Sequence, residues 1–353
     1  MSKLKREIFM IGFSALAFVA SRCGYRVFKH PEGRTSEFDV RADAEVGCGD
    51  PFPGIEQAIA KDLSRDGRDL NDVKKAMEFM INFRSAQPEL ERLYGELHDE
   101  LSRRSLFNVV KYRLASQLKG ITATITPSVS LAEPRFPLPA LKGRTSRHLL
   151  QNVYFYSQYW IDGVFEARPG DVVIDAGGYI GDTALYFDSA VQPDGAVYVF
   201  EPNRDIVPVL RGNIALNGRR NVTVVEKGLS DEAGRSLLVQ DFAGSFVPSA
   251  GEAPGSSGAV PIELTTIDGF VESEGLARLD MIKMDIEGLE IPALRGARDS
   301  IARFRPKLAI SVYHRTFDII EIPALIRSLN PDYKFYLRHG ARNSDAETIL
   351  FCV

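Results

Sequence analysis

The chain has 353 residues, 44% of them apolar and 25% charged, the usual mixture for a globular protein of one large domain or two smaller ones. A net charge of −4 gives no sign of general affinity for nucleic acid. The three cysteines, Cys23, Cys48 and Cys352, share no metal-ligand spacing and fit a reducing, cytoplasmic setting.

Residues 1–30 place Lys3, Lys5 and Arg6 ahead of an uncharged apolar run from Ile8 to Ala20. That run falls short of the about 20 residues a membrane-spanning helix needs. It reads as a packing or interfacial helix, with peripheral membrane contact through residues 8–20. The other reading is a short signal or anchor with Ala15-Leu-Ala17 near its end. Residues 31–143 read as a helical N-terminal module and linker. Gly, Pro and charge mark 31–52 as loop. From Gly54 to Lys119 apolar residues recur at helical spacing. Val73, Ala76, Met77, Met80 and Ile81 lie in one helix from Leu70, and Leu90, Leu93, Leu97 and Leu101 in another after Pro88. Their charged faces read as solvated surface, with no chemistry attached. Pro127, Pro134, Pro137 and Pro139 make 120–143 a linker or extended segment.

Residues 144–353 alternate strands with helices. An aromatic cluster leads in, Tyr154, Phe155, Tyr156, Tyr159, Trp160 and Phe165, and serves either a core or the wall of a pocket. Asp171-Val-Val-Ile174 is apolar and β-branched, as suits a strand buried on both faces. It runs into Asp175-Ala-Gly-Gly-Tyr-Ile-Gly181, after which Asp182 to Phe187 opens a helix. Strand, glycine turn and helix form the first part of a βαβ nucleotide-binding unit. The turn lacks the G-x-G-x-x-G of dinucleotide sites. Asp175 ends the strand instead, and a fixed anion there repels the diphosphate of NAD and attracts a cation. Ala196 to Phe200 is the second strand, ending in Glu201-Pro-Asn203. Glu201 stands about 20 residues beyond Gly181, where a doubly wound fold sets the acid that binds ribose hydroxyls. A nucleoside with an ammonium and a sulfonium, S-adenosylmethionine, suits this pattern.

The alternation continues. Asp205 to Leu216 reads as a helix and Asn221 to Glu226 as a strand. Residues 235–264 interrupt with a Ser- and Gly-rich insert, notably Gly251-Glu-Ala-Pro-Gly-Ser-Ser-Gly258, expected to be a polar loop near the substrate side. Leu279 to Asp285 and Lys307 to Tyr313 are the fourth and fifth strands, with a helix from Leu289 to Phe304 between them. A helix around Ile322–Leu329 precedes a closing pair of strands, Tyr333–Arg338 and Thr348–Cys352.

Asp175-Ala-Gly-Gly-Tyr-Ile-Gly181, Val199-Phe-Glu-Pro-Asn203, Asn213-Ile-Ala-Leu-Asn-Gly218 and Lys283-Met-Asp-Ile-Glu-Gly288 resemble, in order and spacing, the signatures of the FkbM-type methyltransferase family. The resemblance covers about residues 165–313. It implies a class I, Rossmann-like α/β fold, a doubly wound and mostly parallel seven-stranded sheet, that uses S-adenosyl-L-methionine. O-methyl transfer to a hydroxyl of a sugar, glycan precursor or related natural product is the implied reaction. The alternative is a non-catalytic cofactor-binding module in a glycan-assembly complex.

An open α/β sheet binds its ligand at the carboxyl ends of the strands. Asp175, Gly177, Gly178, Tyr179, Gly181, Glu201, Asn203 and Asp285 are therefore the candidate cofactor residues. For removal of a hydroxyl proton the candidates are His314 and Asp285, with Asp318 four residues on placed to orient the imidazole. A structural histidine is the competing reading. Glu287 and Glu290, three apart, share a face of the next helix or cap its start. These acids suit a hard cation, but no further ligand set is evident and no metal is assigned. The expected partner is a small-molecule or glycan substrate and not nucleic acid, with the oligomeric state open.

Overall fold

A computed structural model describes residues 25–29, 38–42, 82, 85–116, 125, 127–128, 143–241, 244–246, 260–342 and 344–353. The apolar run 8–20, the helix from Leu70, most of the proline-rich linker and the Gly251–Gly258 stretch lie outside them. Among the described residues no helix is long and apolar enough to cross a membrane. Two compact units divide the chain. One comprises Met1–Gly95, Arg103–Thr126 and Ala341–Asp345, the other Glu96–Ser102, Pro127–Gly340 and Ala346–Val353.

In the first unit, β1 (Tyr25–Lys29) pairs antiparallel with β2 (Phe38–Ala42). Helix α1 (Gln87–Glu96) starts there. The leucine pattern after Pro88 reads as one helix through Leu101, but the chain breaks it. Leu97 bridges Phe335, and Asp99 opens α2 (Glu100–Ser116) by accepting the Ser102 N–H at 2.7 Å, an N-cap.

The second unit begins with α3 (Arg147–Leu150) and one π-helical turn (Gln151–Phe155). There follow β3 (Val172–Ala176), α4 (Asp182–Val191), β4 (Ala196–Phe200), α5 (Val207–Leu216) and β5 (Val222–Val225). After them come β6 (Gly228–Leu229), β7 (Gly234–Asp241), β8 (Gly244–Phe246), β9 (Val260–Thr265) and α6 (Ile267–Ser273). Then β10 (Met281–Met284), α7 (Glu290–Arg295), α8 (Arg298–Phe304), β11 (Lys307–Ser311), α9 (Asp318–Leu329), β12 (Phe335–His339) and β13 (Thr348–Cys352) complete it.

Seven strands form one sheet in the order β12-β13-β11-β10-β3-β4-β5. The pairs from β5 to β11 are parallel, and β13 runs antiparallel to both neighbours. The order reverses between β3 and β10, which opens a crevice at their carboxyl ends. Val173, Ile174 and Ala176 of β3 and Met281, Ile282 and Met284 of β10 are fully buried, as continuous apolar strands in a two-sided sheet must be.

Three expectations change. Residues 235–264 carry strands where a polar loop was expected: β7 pairs with β8 and β9, and β9 with β6, in a second sheet. Ile262 is buried between exposed Pro261 and Glu263, a period of two that the neighbouring Ser-Gly run masks in composition. The helix expected from Leu289 to Phe304 is two helices. Gly296 lies so close to the Ser230 carbonyl that any Cβ there would collide with it. The helix expected around Ile322 begins earlier, at Asp318, and carries Pro323 in its second turn.

Candidate active site

The glycine turn is held against β4 by its own backbone. Gly177 and Gly178 both donate N–H bonds to the Phe200 carbonyl, at 3.1 and 3.0 Å. Gly177 and Gly181 have φ of 78° and 97°, and Tyr179 between them has φ 44° with half its surface exposed. Glu201, at the tip of β4, is 8% exposed. One of its carboxylate oxygens accepts the Tyr179 N–H at 3.0 Å and the other the Asn203 N–H at 2.9 Å. Burial pushes its pKa up to about 7 against the pull of those two bonds.

Asp175 does not stand open at the turn. It is wholly buried, accepts the Thr183 hydroxyl at 2.6 Å, and pairs with Lys283 at 3.0 Å. Lys283 also donates to the carbonyls of Ala176 and Gly177, at 3.1 and 2.7 Å. The anion that was expected to repel a diphosphate is thus neutralised inside the sheet. Asp175 and Lys283 are neighbours in register on β3 and β10, so the pair locks the glycine turn to the strand that delivers Asp285.

Asp285 follows β10 and gathers the second cluster. Tyr159 and Tyr313 donate hydroxyls to its two oxygens at 3.1 and 2.9 Å. Burial, together with the neighbouring Asp285 charge, pushes both phenols well above their usual range. Burial raises the Asp285 pKa, but the charges of His314 and Lys283 and the hydroxyl bonds outweigh it and hold the acid below its usual value. His314 Nε2 lies 3.3 Å from Asp285 Oδ1 and 3.4 Å from Glu287 Oε2, and its Nδ1 lies 2.8 Å from Glu290 Oε1. Burial opposes a charge on the ring, yet the three carboxylates prevail and raise its pKa to about 9. At neutral pH the ring is an imidazolium, not the free base that the sequence suggested.

Asp318 does not hold that imidazole. It accepts the Arg315 N–H at 2.6 Å at the start of α9, and burial lifts its pKa to about 6. The carboxylate beside Nδ1 is Glu290 instead. Glu287 and Glu290 do not share a helical face, because α7 starts at Glu290 and Glu287 precedes it with φ 56°. They meet through His314.

A cavity of about 510 Å³ joins the two clusters, within the range of small-molecule sites. Gly177, Gly178, Tyr179, Glu201 and Asn203 line one part and Asp285, Glu287, Tyr159 and Tyr313 another. Leu229, Leu238 and Ile262 of the second sheet add an apolar wall. Its acids, Asp182, Glu201, Asp285, Glu287 and Glu347, outnumber its bases, Lys227 and Lys283. The lining therefore favours a cation, although not through Asp175. Gly181 and Asp175 are absent from it, as are His314 and Asp318.

The aromatic lead-in divides between the two readings open to it. Phe165 packs edge-on against Phe351, and Trp160 against Tyr186, both as core. Tyr159 reaches the cavity. Lys283 escaped the sequence reading as a site residue. Lys283 had a signal: a lysine within Met281-Ile-Lys-Met284, a strand buried on both faces, requires a buried acid beside it.

A switch point in this strand order, with a glycine turn and an acid-tipped second strand beside it, defines a class I methyltransferase. Residues 175–335 match the methyltransferase FkbM domain. A crystal structure of methyltransferase FkbM from Methylobacillus flagellatus KT superposes with a TM-score of 0.53 at 23% identity. That likeness covers 79% of this chain and 60% of the other, and shows the fold. Hexuronic acid methyltransferase AglP of Haloferax volcanii is 31% identical over 143 residues, 38% of this chain and 54% of that protein. Methyltransferase sdnD of Sordaria araneosa is 28% identical over 176 residues, 40% and 68% respectively.

Proposed function

We propose that the chain transfers a methyl group from S-adenosyl-L-methionine to a hydroxyl of a sugar, glycan precursor or related polyol. The observation that carries the reading is Glu201, a carboxylate 8% exposed at the tip of β4 with each oxygen already fixed by a backbone N–H. Such an acceptor suits two ribose hydroxyls. The cofactor fits the residues around it. The glycine turn admits close backbone approach, Leu229, Leu238 and Ile262 offer an apolar wall to a base, and the acidic lining favours a sulfonium. When bound, the cofactor supplies a methyl already activated for in-line displacement.

The chain's own part is to align, exclude water and take up a proton. The acceptor hydroxyl would lie toward Asp285, with Tyr159 and Tyr313 holding that carboxylate in place. Asp285 and Glu287 are the carboxylates at hand for the released proton, and His314 fixes their spacing. The sugar class draws support from the hexuronic acid methyltransferase among the relatives.

Calorimetry with S-adenosylhomocysteine and with NAD tests the cofactor. Binding of the first and not the second is expected, and equal affinity would overturn the reading. Transfer of labelled methyl from the cofactor to a panel of uronic acids and neutral glycosides tests the acceptor. A chain that binds the cofactor and labels none of them would instead be the binding module.

A further inference from the structure

We propose that Glu347 sets the charge of the acceptor, so that the cavity takes a hydroxyl-rich ring without a negative charge and turns away a uronate. The proposal rests on the methyl-transfer reading and narrows it. Glu347 immediately precedes β13, and its carbonyl accepts the Gly340 N–H at 2.8 Å, which ties it to the end of β12. Its φ is 58°, a left-handed backbone that a residue with a side chain adopts at a cost. The side chain lines the cavity, where buried Gln158 donates its amide N–H to one carboxylate oxygen.

Glu347 enters the cavity at its Asp285 end. Burial, and then the charges of Asp285 and Glu347, raise the phenols of Tyr159 and Tyr313. Burial also raises the Glu287 carboxyl, with Asp285, Glu290 and Glu347 adding to the rise and His314 opposing it. Tyr159, Tyr313 and Glu287 thus all feel the Glu347 charge, and all line the cavity with it. The imidazolium of His314 stands outside the lining, against Asp285, Glu287 and Glu290, and its single charge is outnumbered there before Glu347 is added. The two bases of the lining leave this surplus standing. Lys283 is wholly buried and engaged by Asp175 and by two backbone carbonyls. Lys227 follows β5, three strand spacings or about 14 Å across the sheet from β10, and lies 3.8 Å from Glu263. An incoming carboxylate would meet like charges with no cation to receive it, which costs affinity. Hydroxyls meet the opposite. Ionised carboxylates only accept hydrogen bonds, and a polyol has donors to give.

The test is calorimetric titration of the full chain, saturated with S-adenosylhomocysteine at pH 8, with methyl glucoside and methyl glucuronide and with the matching galactose pair. The neutral member of a pair should bind about 10–100-fold more tightly than its uronate. Glu347→Gln should bring that ratio down about tenfold, chiefly by strengthening the uronate. Glu347→Gly, whose backbone adopts a φ of 58° freely, gives the same reading if Glu347→Gln folds poorly. A uronate bound as tightly as its neutral partner, a ratio unmoved in both variants, or no binding of any glycoside would overturn the proposal. Faster transfer of labelled methyl to a uronate than to its neutral partner would overturn it too, while upholding the methyl-transfer reading. The affinity for S-adenosylhomocysteine, measured before saturation, reports on that reading separately.

Discussion

The burial of Glu201 costs the fold stability as pH rises. Its pKa is raised from 4.5 to about 7, first by burial, with Asp175 adding to the rise and Lys283 and the two backbone bonds opposing it. A carboxyl whose folded pKa lies above its unfolded one costs the fold more as pH rises from about 4.5 to about 7. Glu201→Gln should therefore melt higher than the parent at pH 8 and no higher at pH 4, read by thermal denaturation. The same ionisation is what a pair of ribose hydroxyls needs. Affinity for S-adenosylhomocysteine should rise about tenfold between pH 6 and pH 8 in the parent and stay flat in Glu201→Gln. Glu201→Ala should cost about 1–3 kcal/mol of binding at pH 8. His314→Ala should leave S-adenosylhomocysteine affinity within about twofold while single-turnover methyl transfer falls by roughly 10²–10⁴, the worth of a group positioned at a proton transfer. Full activity in that variant would make the histidine structural. At this scale the sequence put Glu201, Asp285 and His314 at the carboxyl ends of strands, because apolar runs mark those strands. It did not foresee the pairing of Asp175 with Lys283 or the bond from the Arg315 N–H to Asp318. Side-chain partners across strands depend on register, and register is not written in local pattern.

At the scale of elements, the glycine turn separates two kinds of tight fit. A Cβ on Gly177 would run into the backbone carbonyl of Asp285 from a φ of 78°, and neither can yield. A Cβ on Gly178 would meet only the Val199 side chain. Gly177→Ala should thus destabilise beyond rescue, whereas Gly178→Ala should recover much of its lost stability when combined with Val199→Ala, as urea titration would read. The Asp175–Lys283 pair gives a second test at the β3–β10 seam. Lys283→Met leaves a buried carboxylate uncompensated and should cost about 3–5 kcal/mol, with Asp175→Asn on top restoring part of it. Strands and helices around this seam were legible because apolar runs and turn residues mark them. The break at Gly296 was not, since only a distant carbonyl at Ser230 demands it.

For the unit as a whole, a mostly parallel seven-stranded sheet with a closing pair of strands followed from four signatures in sequence and the family they resemble, and the structure adds the order β12-β13-β11-β10-β3-β4-β5. The second sheet did not follow from them. Its strands β7 and β9 flank a Ser-Gly stretch whose composition dominates any window laid across it. A ligand bound to this unit alone should protect the whole of it. S-adenosylhomocysteine at about 100 times its dissociation constant should add about 2.7 kcal/mol to unfolding. Thermal melts should show that shift with S-adenosylhomocysteine and none with NAD.

The wall formed by Leu229, Leu238 and Ile262 belongs to a sheet that shares no strand with the main one and arises from a single crossover between β5 and β10. Selection can therefore redraw the shape of the cavity by exchanging one cassette. The Asp175–Lys283 seam, and the parallel strands that carry it, stay untouched. A scaffold with that division of labour diversifies its clientele cheaply, and the most informative differences between this chain and its relatives should concentrate between residues 228 and 265.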